Sequence, residues 1–358
     1  MAAHACCAQH FTYCNPNKQV PMRDTQIIPN PDDGKFYAIG TLQWGGVDSL
    51  KNAGFRLYVS DDMINWKEDK WIMRCVDIPK DSWIGNERYW APEIHKINGL
   101  WYLTYNCASK LPADSKWYWC AHGSGIAVAD KIEGPYRNLS QKPLTPYPSN
   151  DLTLFQDENQ HVYALFNTGF FAGHPEPKLS IYIAQIDLQT GALIEEPRKL
   201  LTQQGGFEAE GIEGSYLVKD KGIYYLFYSG WEGGYAVGYA TSKNIYGPYL
   251  RAQNSPLFGA CHSGELIRNG KRVANISHPY REIGHNQIFY GPDGHYWTSC
   301  HAYLKGGDNR YGSYLVIDPI RFKDGRVETK APTWRNQTVN VTNKMRRTFP
   351  GLNNPDHK

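Results

Sequence analysis

The chain has 358 residues, of which 41% are hydrophobic and 14% aromatic, and its formal net charge is +3. Basic and acidic residues are nearly balanced, at 38 and 35, which argues against a nucleic-acid-binding surface because such surfaces cluster Lys and Arg. No apolar run approaches the roughly twenty residues that a membrane span needs, and eight cysteines are too few for a disulfide framework at this length.

One short segment recurs five times along the chain, and each copy joins a polar turn to an aromatic strand. The copies read DDGKFYAIGT, INGLWYLTYN, ENQHVYALFN, DKGIYYLFYS and PDGHYWTSCH, centred on Tyr37, Tyr102, Tyr163, Tyr225 and Tyr296. Successive tyrosines are 61 to 71 residues apart, which is regular and too long for a solenoid of single hairpins. The pattern predicts one structural unit that is used five times.

Each unit contains two further strand-like segments, one before the aromatic strand and one after it. The preceding segments are MRDTQII, APEIHKI, NDLTLF, IEGSYLV and GHNQIF. Three strands and a variable fourth, repeated radially, form the blade of a β-propeller, whereas a large sandwich would not explain the period. We therefore predict an all-β fold, a five-bladed β-propeller over residues 21–335, with an N-terminal extension at 1–20. Residues 336–358 are predicted as a C-terminal extension that either packs on the propeller or is disordered.

The first strand of each propeller blade lines the central channel, so its inward side chains converge at one mouth of that channel. The residues in the apparently equivalent place are Asp24, Glu93, Asp151, Glu213 and His285. Four carboxylates held together with a histidine raise some pKa values and are costly unless they perform chemistry. Glycoside hydrolysis requires such carboxyl groups, one protonated to assist the leaving oxygen and one ionised to activate water.

The same residues carry a resemblance to a known family. Trp90–Glu93 reads WAPE, 150–155 reads NDLTLF, 212–216 reads IEGSY and 284–287 reads GHNQ, and these follow Asp24 in order at blade spacing. This succession resembles glycoside hydrolase family 43. The resemblance covers about residues 21–330 and implies an inverting enzyme on a five-bladed propeller.

The resemblance also implies roles for individual residues. Asp24 would be the general base, Glu213 the general acid, and Asp151 a modulator of the pKa of the acid. His285 would stand beside a channel cation, often calcium, which is structural, so the chemistry itself requires no cofactor. The chain departs from the common family pattern where Thr25 and Leu152 replace the proline that usually follows each aspartate.

Several further residues are candidates for substrate binding, each with a structural alternative. Trp44, Trp90 and Trp231 are expected to stack on sugar rings, although packing between blades would equally explain them. Arg310 is expected to pair with Asp151, the alternative being a solvated turn residue. Glu93 is a candidate substrate contact or a structural acid that hydrogen-bonds across blades.

The function predicted from the sequence is that of an inverting exo-glycoside hydrolase, an α-L-arabinofuranosidase acting on plant-type polysaccharides or oligosaccharides. The family's usual activities suggest this sugar, and insertion-like stretches at 43–52 and 108–121 are expected to wall a pocket and so favour exo action. β-D-Xylosidase and exo-β-galactosidase activities are alternatives, and a non-catalytic sugar-binding or interaction propeller is an alternative of another class. Residues 1–20 lack the features of a secretory signal, which leaves two alternatives: the protein is cytoplasmic, or a signal peptide has been removed and it is secreted or periplasmic.

Overall fold

The structure is a computed structural model that describes residues 10–42, 53–110, 122–169, 177–232, 234–259, 265–268, 271–274, 279–304 and 313–353. Its strands form five antiparallel sheets arranged around one axis, which confirms the predicted five-bladed β-propeller. The first strands of the five sheets contact one another in a closed ring, with the fifth sheet meeting the first. Across these ranges, no helix is long and apolar enough to cross a membrane.

Each sheet begins at the axis with an inner strand and continues outward through a second and a third strand. The inner strands are Arg23–Asn30, Trp90–Ile97, Asn150–Gln156, Gly211–Asp220 and Tyr280–Tyr290. The second strands are Lys35–Thr41, Leu100–Ala108, Val162–Thr168, Ile223–Trp231 and Tyr296–Leu304. The third strands are Gly54–Ser60, His122–Ala129, Ser180–Asp187, Tyr235–Ser242 and Ser313–Lys323. These are the three segments that each sequence repeat predicts.

The fourth strands vary in length, as the repeats suggest. They are Lys67–Arg74, Arg137–Asn138, Arg198–Thr202 beside Ala192–Leu193, Leu250–Arg251 beside Phe258–Gly259, and Arg326–Thr329. A separate hairpin pairs Glu265–Arg268 with Lys271–Ala274. Single 3-10 turns occur at Cys75–Asp77 and Gly206–Glu208.

The hydrophobic core is divided into five clusters, one at each junction between neighbouring blades. Between blades 1 and 2, for example, Phe55 and Leu57 pack with Leu103 and Tyr105, and all four side chains are fully buried. Each such side chain stabilises the fold by about 1.5–3 kcal/mol relative to an exposed one. This packing explains the high aromatic content, because flat blades that face each other need large side chains to fill the gaps between them.

The two chain ends meet at the junction between blades 5 and 1. Strand His10–Asn15 pairs antiparallel with Arg335–Asn340, and the Tyr13 ring packs edge-on against Trp297 of blade 5 at 5.0 Å. Helix Asn343–Thr348 and the 3-10 turn Pro350–Asn353 follow, and Phe349 stacks on Phe36 of blade 1 with ring centroids 4.4 Å apart. The terminal segments therefore join the last blade to the first.

Candidate active site

A β-bulge in every inner strand shapes one mouth of the channel. In each blade two inner-strand residues oppose a single residue of the second strand. The first of these, here called the bulge residue, has a positive φ in all five blades: Asp24 (52°), Ala91 (41°), Asp151 (54°), Gly214 (58°) and His285 (49°). Residues other than glycine rarely adopt this conformation, and bulges beside active sites often re-aim a side chain.

The bulges show that two of the predicted positions are not equivalent to the others. Glu213 precedes the bulge residue of blade 4 by one position, and Glu93 follows that of blade 2 by two. The expectation that all five inward side chains meet was therefore wrong for Glu93, whereas Glu213 lies one position from its bulge and still meets Asp151 and His285. The reason is that turns of different length separate each bulge from the aromatic strand, so counting back from the tyrosine does not find the bulge.

Glu93 consequently lies in the next ring along the channel and is buried. Its Oε2 accepts a hydrogen bond of 2.5 Å from Thr153 Oγ1, and its Oε1 accepts one of 2.7 Å from Gln287 Nε2. His95 Nε2 is 3.0 Å from Oε2. These contacts match the structural alternative, in which Glu93 is an acid that hydrogen-bonds across blades. Contact between Glu93 and the substrate stays a prediction, and this geometry does not support it.

The three acids assigned to catalysis meet around His285. One ligand atom each of Asp151, Glu213 and His285 lies within 4.8 Å of the others, and Asp24 Oδ1 is 3.3 Å from His285 Nδ1. Burial would lower the pKa of His285, but the charges of Asp24 and Asp151 outweigh it and raise that pKa. A histidine that favours its charged form therefore stands among the carboxyl groups.

Asp24 is held in its ionised form. Its side chain is 1% exposed, and Oδ2 accepts a hydrogen bond of 2.6 Å from Thr41 Oγ1. Burial alone would raise the pKa of Asp24, but the charges of Arg23 and His285 and the hydrogen bond from Thr41 hold it well below its usual range. A buried carboxylate that keeps its charge can accept a proton from water.

Glu213, unlike Asp24, favours its protonated form. Burial, followed by the negative charge of Asp151, raises the pKa of Glu213 to about 8. The Tyr235 hydroxyl donates a hydrogen bond to Glu213 Oε1. Glu213 is therefore protonated at neutral pH and can donate that proton.

Asp151 lies between these two groups in the ring. Its Oδ1 accepts a hydrogen bond of 3.2 Å from Asn106 Nδ2, and its Oδ2 accepts one of 2.9 Å from the Gly214 backbone N–H. Burial raises the pKa of Asp151, which the charge of His285 partly opposes. A Cβ at position 214 would lie 3.1 Å from the His285 ring, so this approach requires glycine.

Polar residues of the second strands hold the bulge residues in place. These residues, here called clasp residues, occupy one equivalent position in each blade: Thr41, Asn106, Asn167, Ser229 and His301. Three of them accept a backbone N–H from the bulge residue of the next blade: Thr41 Oγ1 from Ala91 at 2.8 Å, Ser229 Oγ from His285 at 2.7 Å and His301 Nδ1 from Asp24 at 3.0 Å. Three of the five strained backbone positions are thus fixed by a clasp residue of a neighbouring blade.

Sequence reasoning missed the clasp residues, although a signal for them exists. They are the last residues of the five repeats, which end in Thr, Asn, Asn, Ser and His. A polar residue that ends every copy of a buried strand indicates a shared hydrogen-bonding task. Burial lowers the pKa of His301 to about 3, so its ring is neutral and its Nδ1 can accept the Asp24 N–H.

Of the five residues predicted to stack on or bind the sugar, Trp90 and Trp231 lie near the acids around His285. Trp90 is half-buried, directly precedes the bulge residue Ala91 and packs edge-on against the His122 ring at 4.6 Å. The Trp231 ring is 5.9 Å from Tyr235, and its Nε1 has no hydrogen-bond partner within the described part of the chain. Trp44 and Arg310 lie outside the described residues. Arg23 lies beside one of the predicted catalytic carboxylates, with its Nη2 3.7 Å from Asp24 Oδ1.

The acids around His285 are also where the channel cation is predicted. Asp151, Glu213 and His285 offer only two carboxylates and one nitrogen, whereas calcium takes six to eight oxygen ligands. Both oxygens of Asp151 already accept N–H groups, and Glu213 favours its protonated form. These three side chains therefore do not fit calcium by themselves, and a structural calcium near His285 stays a prediction.

Comparisons with known proteins agree with this architecture. The chain is 27% identical over 262 residues to an extracellular endo-α-(1→5)-L-arabinanase of Thermotoga petrophila, covering 62% of this chain and 52% of that protein. It is 28% identical over 244 residues to a xylan 1,3-β-xylosidase of a Vibrio species, covering 65% of this chain and 41% of that protein. The chain thus spans about half the length of these two curated relatives.

Solved structures share the fold. The crystal structure of a thermostable family-43 glycoside hydrolase superposes with a TM-score of 0.71 at 21% identity, covering 90% of this chain and 96% of that one. The model of the family described as glycosyl hydrolases family 43 matches residues 13–327, which is most of the chain. The protein therefore belongs to glycosyl hydrolases family 43.

Proposed function

We propose that the protein is an inverting, exo-acting α-L-arabinofuranosidase that removes terminal sugar residues from plant-type polysaccharides or oligosaccharides. The observation that carries the catalytic part of this proposal is the opposite protonation of two buried carboxyl groups at one mouth of the channel. Asp24 favours its ionised form and Glu213 its protonated form. Inverting hydrolysis needs one carboxyl group of each kind.

In this proposal Glu213 donates its proton to the glycosidic oxygen as the bond to the anomeric carbon breaks. Asp24 accepts a proton from a water molecule that attacks the anomeric carbon from the opposite face. Burial and the negative charge of Asp151 keep Glu213 protonated. His285 stays positively charged beside Asp24 and favours the ionised base. Acid and base are both side chains of this protein, so these steps require no cofactor.

The choice of sugar rests on the family and its named members. One relative is named as an endo-acting arabinanase, which supports an arabinose-containing substrate. A second is named as a xylan 1,3-β-xylosidase, which makes β-D-xylosidase activity the second candidate. Trp90 and Trp231 are proposed to border the sugar subsite, where an aromatic ring can pack on the apolar face of a sugar.

A panel of aryl glycosides tests this proposal directly. The panel contains the α-L-arabinofuranoside, the β-D-xyloside and the β-D-galactoside of one phenol, with product analysis on arabinan and xylan. We expect turnover of the arabinofuranoside and release of single arabinose residues from arabinan. Cleavage of the xyloside alone would show that the sugar is xylose, and products longer than one residue would show endo action. No turnover at all would favour the non-catalytic alternative.

A further inference from the structure

Tyr235 is the neighbour of the acid that neither the sequence nor the proposed mechanism accounts for. It begins the third strand of blade 4, and its hydroxyl donates a hydrogen bond to Glu213 Oε1. Burial, followed by the charge of Glu213, raises the pKa of Tyr235 well above its usual value, so the phenol keeps its proton at every pH of interest. The Tyr235 hydroxyl is therefore a permanent donor to one oxygen of the acid.

The Tyr235 ring is held from several sides. A Cβ at position 284 would lie 2.6 Å from Tyr235 Cδ1, so glycine at 284 is what admits the ring. The His301 ring packs edge-on against it at 5.3 Å, and the Trp231 ring lies 5.9 Å away. Residues of blades 4 and 5 thus hold the Tyr235 ring in the position where its hydroxyl contacts Glu213.

We propose that Tyr235 is a positioning residue that holds Glu213 by Oε1 and so keeps the transferable proton on Oε2. A protonated carboxyl group has one oxygen that carries hydrogen and one that only accepts. Because a carbonyl oxygen is a stronger acceptor than a hydroxyl oxygen, the bond from Tyr235 favours the form in which Oε1 is the carbonyl oxygen and Oε2 carries the proton. The inference rests on the proposed role of Glu213 as the acid and adds which of its two oxygens reacts.

The same contact assists departure of the proton. When Oε2 releases its proton to the glycosidic oxygen, the electron pair of the broken C–O bond stays on the leaving group, and Glu213 becomes a carboxylate. A hydrogen bond to a charged oxygen is roughly twice as strong as one to a neutral oxygen. The bond from Tyr235 therefore strengthens during the step, and it favours the transition state over the ground state.

Tyr235→Phe tests the proposal, because it keeps the ring and removes only the hydroxyl. The matched control is Tyr239→Phe in the same strand, whose fully buried hydroxyl bonds Asn254 Oδ1 at 2.6 Å. The substrates are phenyl and dinitrophenyl glycosides of whichever sugar the wild type cleaves. Phenol is a poor leaving group that needs the proton of the acid, whereas dinitrophenol does not.

We expect Tyr235→Phe to lower kcat on the phenyl glycoside by about tenfold and on the dinitrophenyl glycoside by less than about twofold, with KM nearly unchanged. Tyr239→Phe should leave the ratio of the two rates at its wild-type value. An equal loss on both substrates, or no loss on either, would overturn the proposal.

A spectroscopic measurement separates failure of this inference from failure of the proposed function, because it needs no turnover. In infrared spectra of protein labelled with ¹³C at glutamate carboxyl groups, the carbonyl band of protonated Glu213 is the one lost in Glu213→Gln. A carbonyl oxygen that loses its donor vibrates at higher frequency. The band should therefore shift upward in Tyr235→Phe and stay in place in Tyr239→Phe, and an unshifted band in Tyr235→Phe would contradict the contact.

Discussion

Replacing Glu213 with Gln should change how the stability of the protein depends on pH. The pKa of Glu213 is raised from 4.5 to about 8 in the folded protein. Between those values the folded state holds a proton that the unfolded state has already released. The contribution of this group is therefore fully present below the unfolded pKa of 4.5 and is lost as the pH rises toward 8. Gln has nearly the same size and cannot ionise, so the variant lacks this dependence.

The magnitude follows from the proton count. Each pH unit inside this window lowers the free energy of unfolding by about 1.4 kcal/mol, or about 2.7 kcal/mol from pH 5 to pH 7. An unfolding entropy of about 2.1 cal/mol/K per residue gives about 0.75 kcal/mol/K for 358 residues. The Tm of Glu213→Gln minus that of the wild type should therefore increase by about 4 °C between pH 5 and pH 7.

Thermal unfolding followed by calorimetry at pH 5, 6 and 7 measures this difference. Tyr239→Phe serves as the control, since burial raises the pKa of Tyr239 and the residue does not titrate in this range. Its Tm should run parallel to that of the wild type. If the Tm of Glu213→Gln also ran parallel to the wild type, Glu213 would be ionised at these pH values, and its assignment as a protonated acid would be refuted.

The remaining predictions concern activity and the supports of the site. Asp24→Asn should lower kcat by about 100- to 10,000-fold while calorimetry still detects sugar binding, and near-normal turnover would rule it out as the base. The value of kcat/KM should fall above about pH 8, where Glu213 ionises. It should stay level down through the ordinary carboxylate range, because the pKa of Asp24 is lowered. A fall in kcat/KM that already begins near pH 5 as the pH rises would contradict the assignment of Glu213. His301→Leu should lower the free energy of unfolding by about 1–3 kcal/mol in urea titrations, because it leaves the buried Asp24 N–H without an acceptor, and an unchanged midpoint would show that this bond adds nothing. Treatment with EDTA should leave kcat unchanged, whereas a loss restored by calcium would show that the channel cation takes part.

The repeats in the sequence predict the fold because a propeller blade is a fixed unit whose strands follow one another along the chain. The spacing of the five aromatic strands was sufficient for that, even though Trp297 and not Tyr296 occupies the equivalent place in blade 5. The same spacing predicted that Asp24, Asp151 and Glu213 lie at one mouth of the channel.

What the sequence could not provide depends on bulges and on contacts between blades. A bulge inserts one residue into a strand, and the turn that follows differs in length between blades, so the place of Glu93 in the channel could not be found by counting from the tyrosine. Tyr235 and His301 act on acids that are distant in sequence, and only the packed fold brings them together. Tyr is an ordinary residue type for a buried strand, so nothing in the sequence marks Tyr235, whereas the polar residue that ends each repeat could have marked His301.

The anomeric configuration of the first product tests the central claim most directly. Proton NMR during hydrolysis distinguishes the two anomers before they interconvert. Because Asp24 activates water on the face opposite the proton donated by Glu213, the account predicts a sugar of inverted configuration. A retained configuration would require a carboxylate nucleophile at the anomeric carbon, and it would contradict the assignment of these two residues as base and acid.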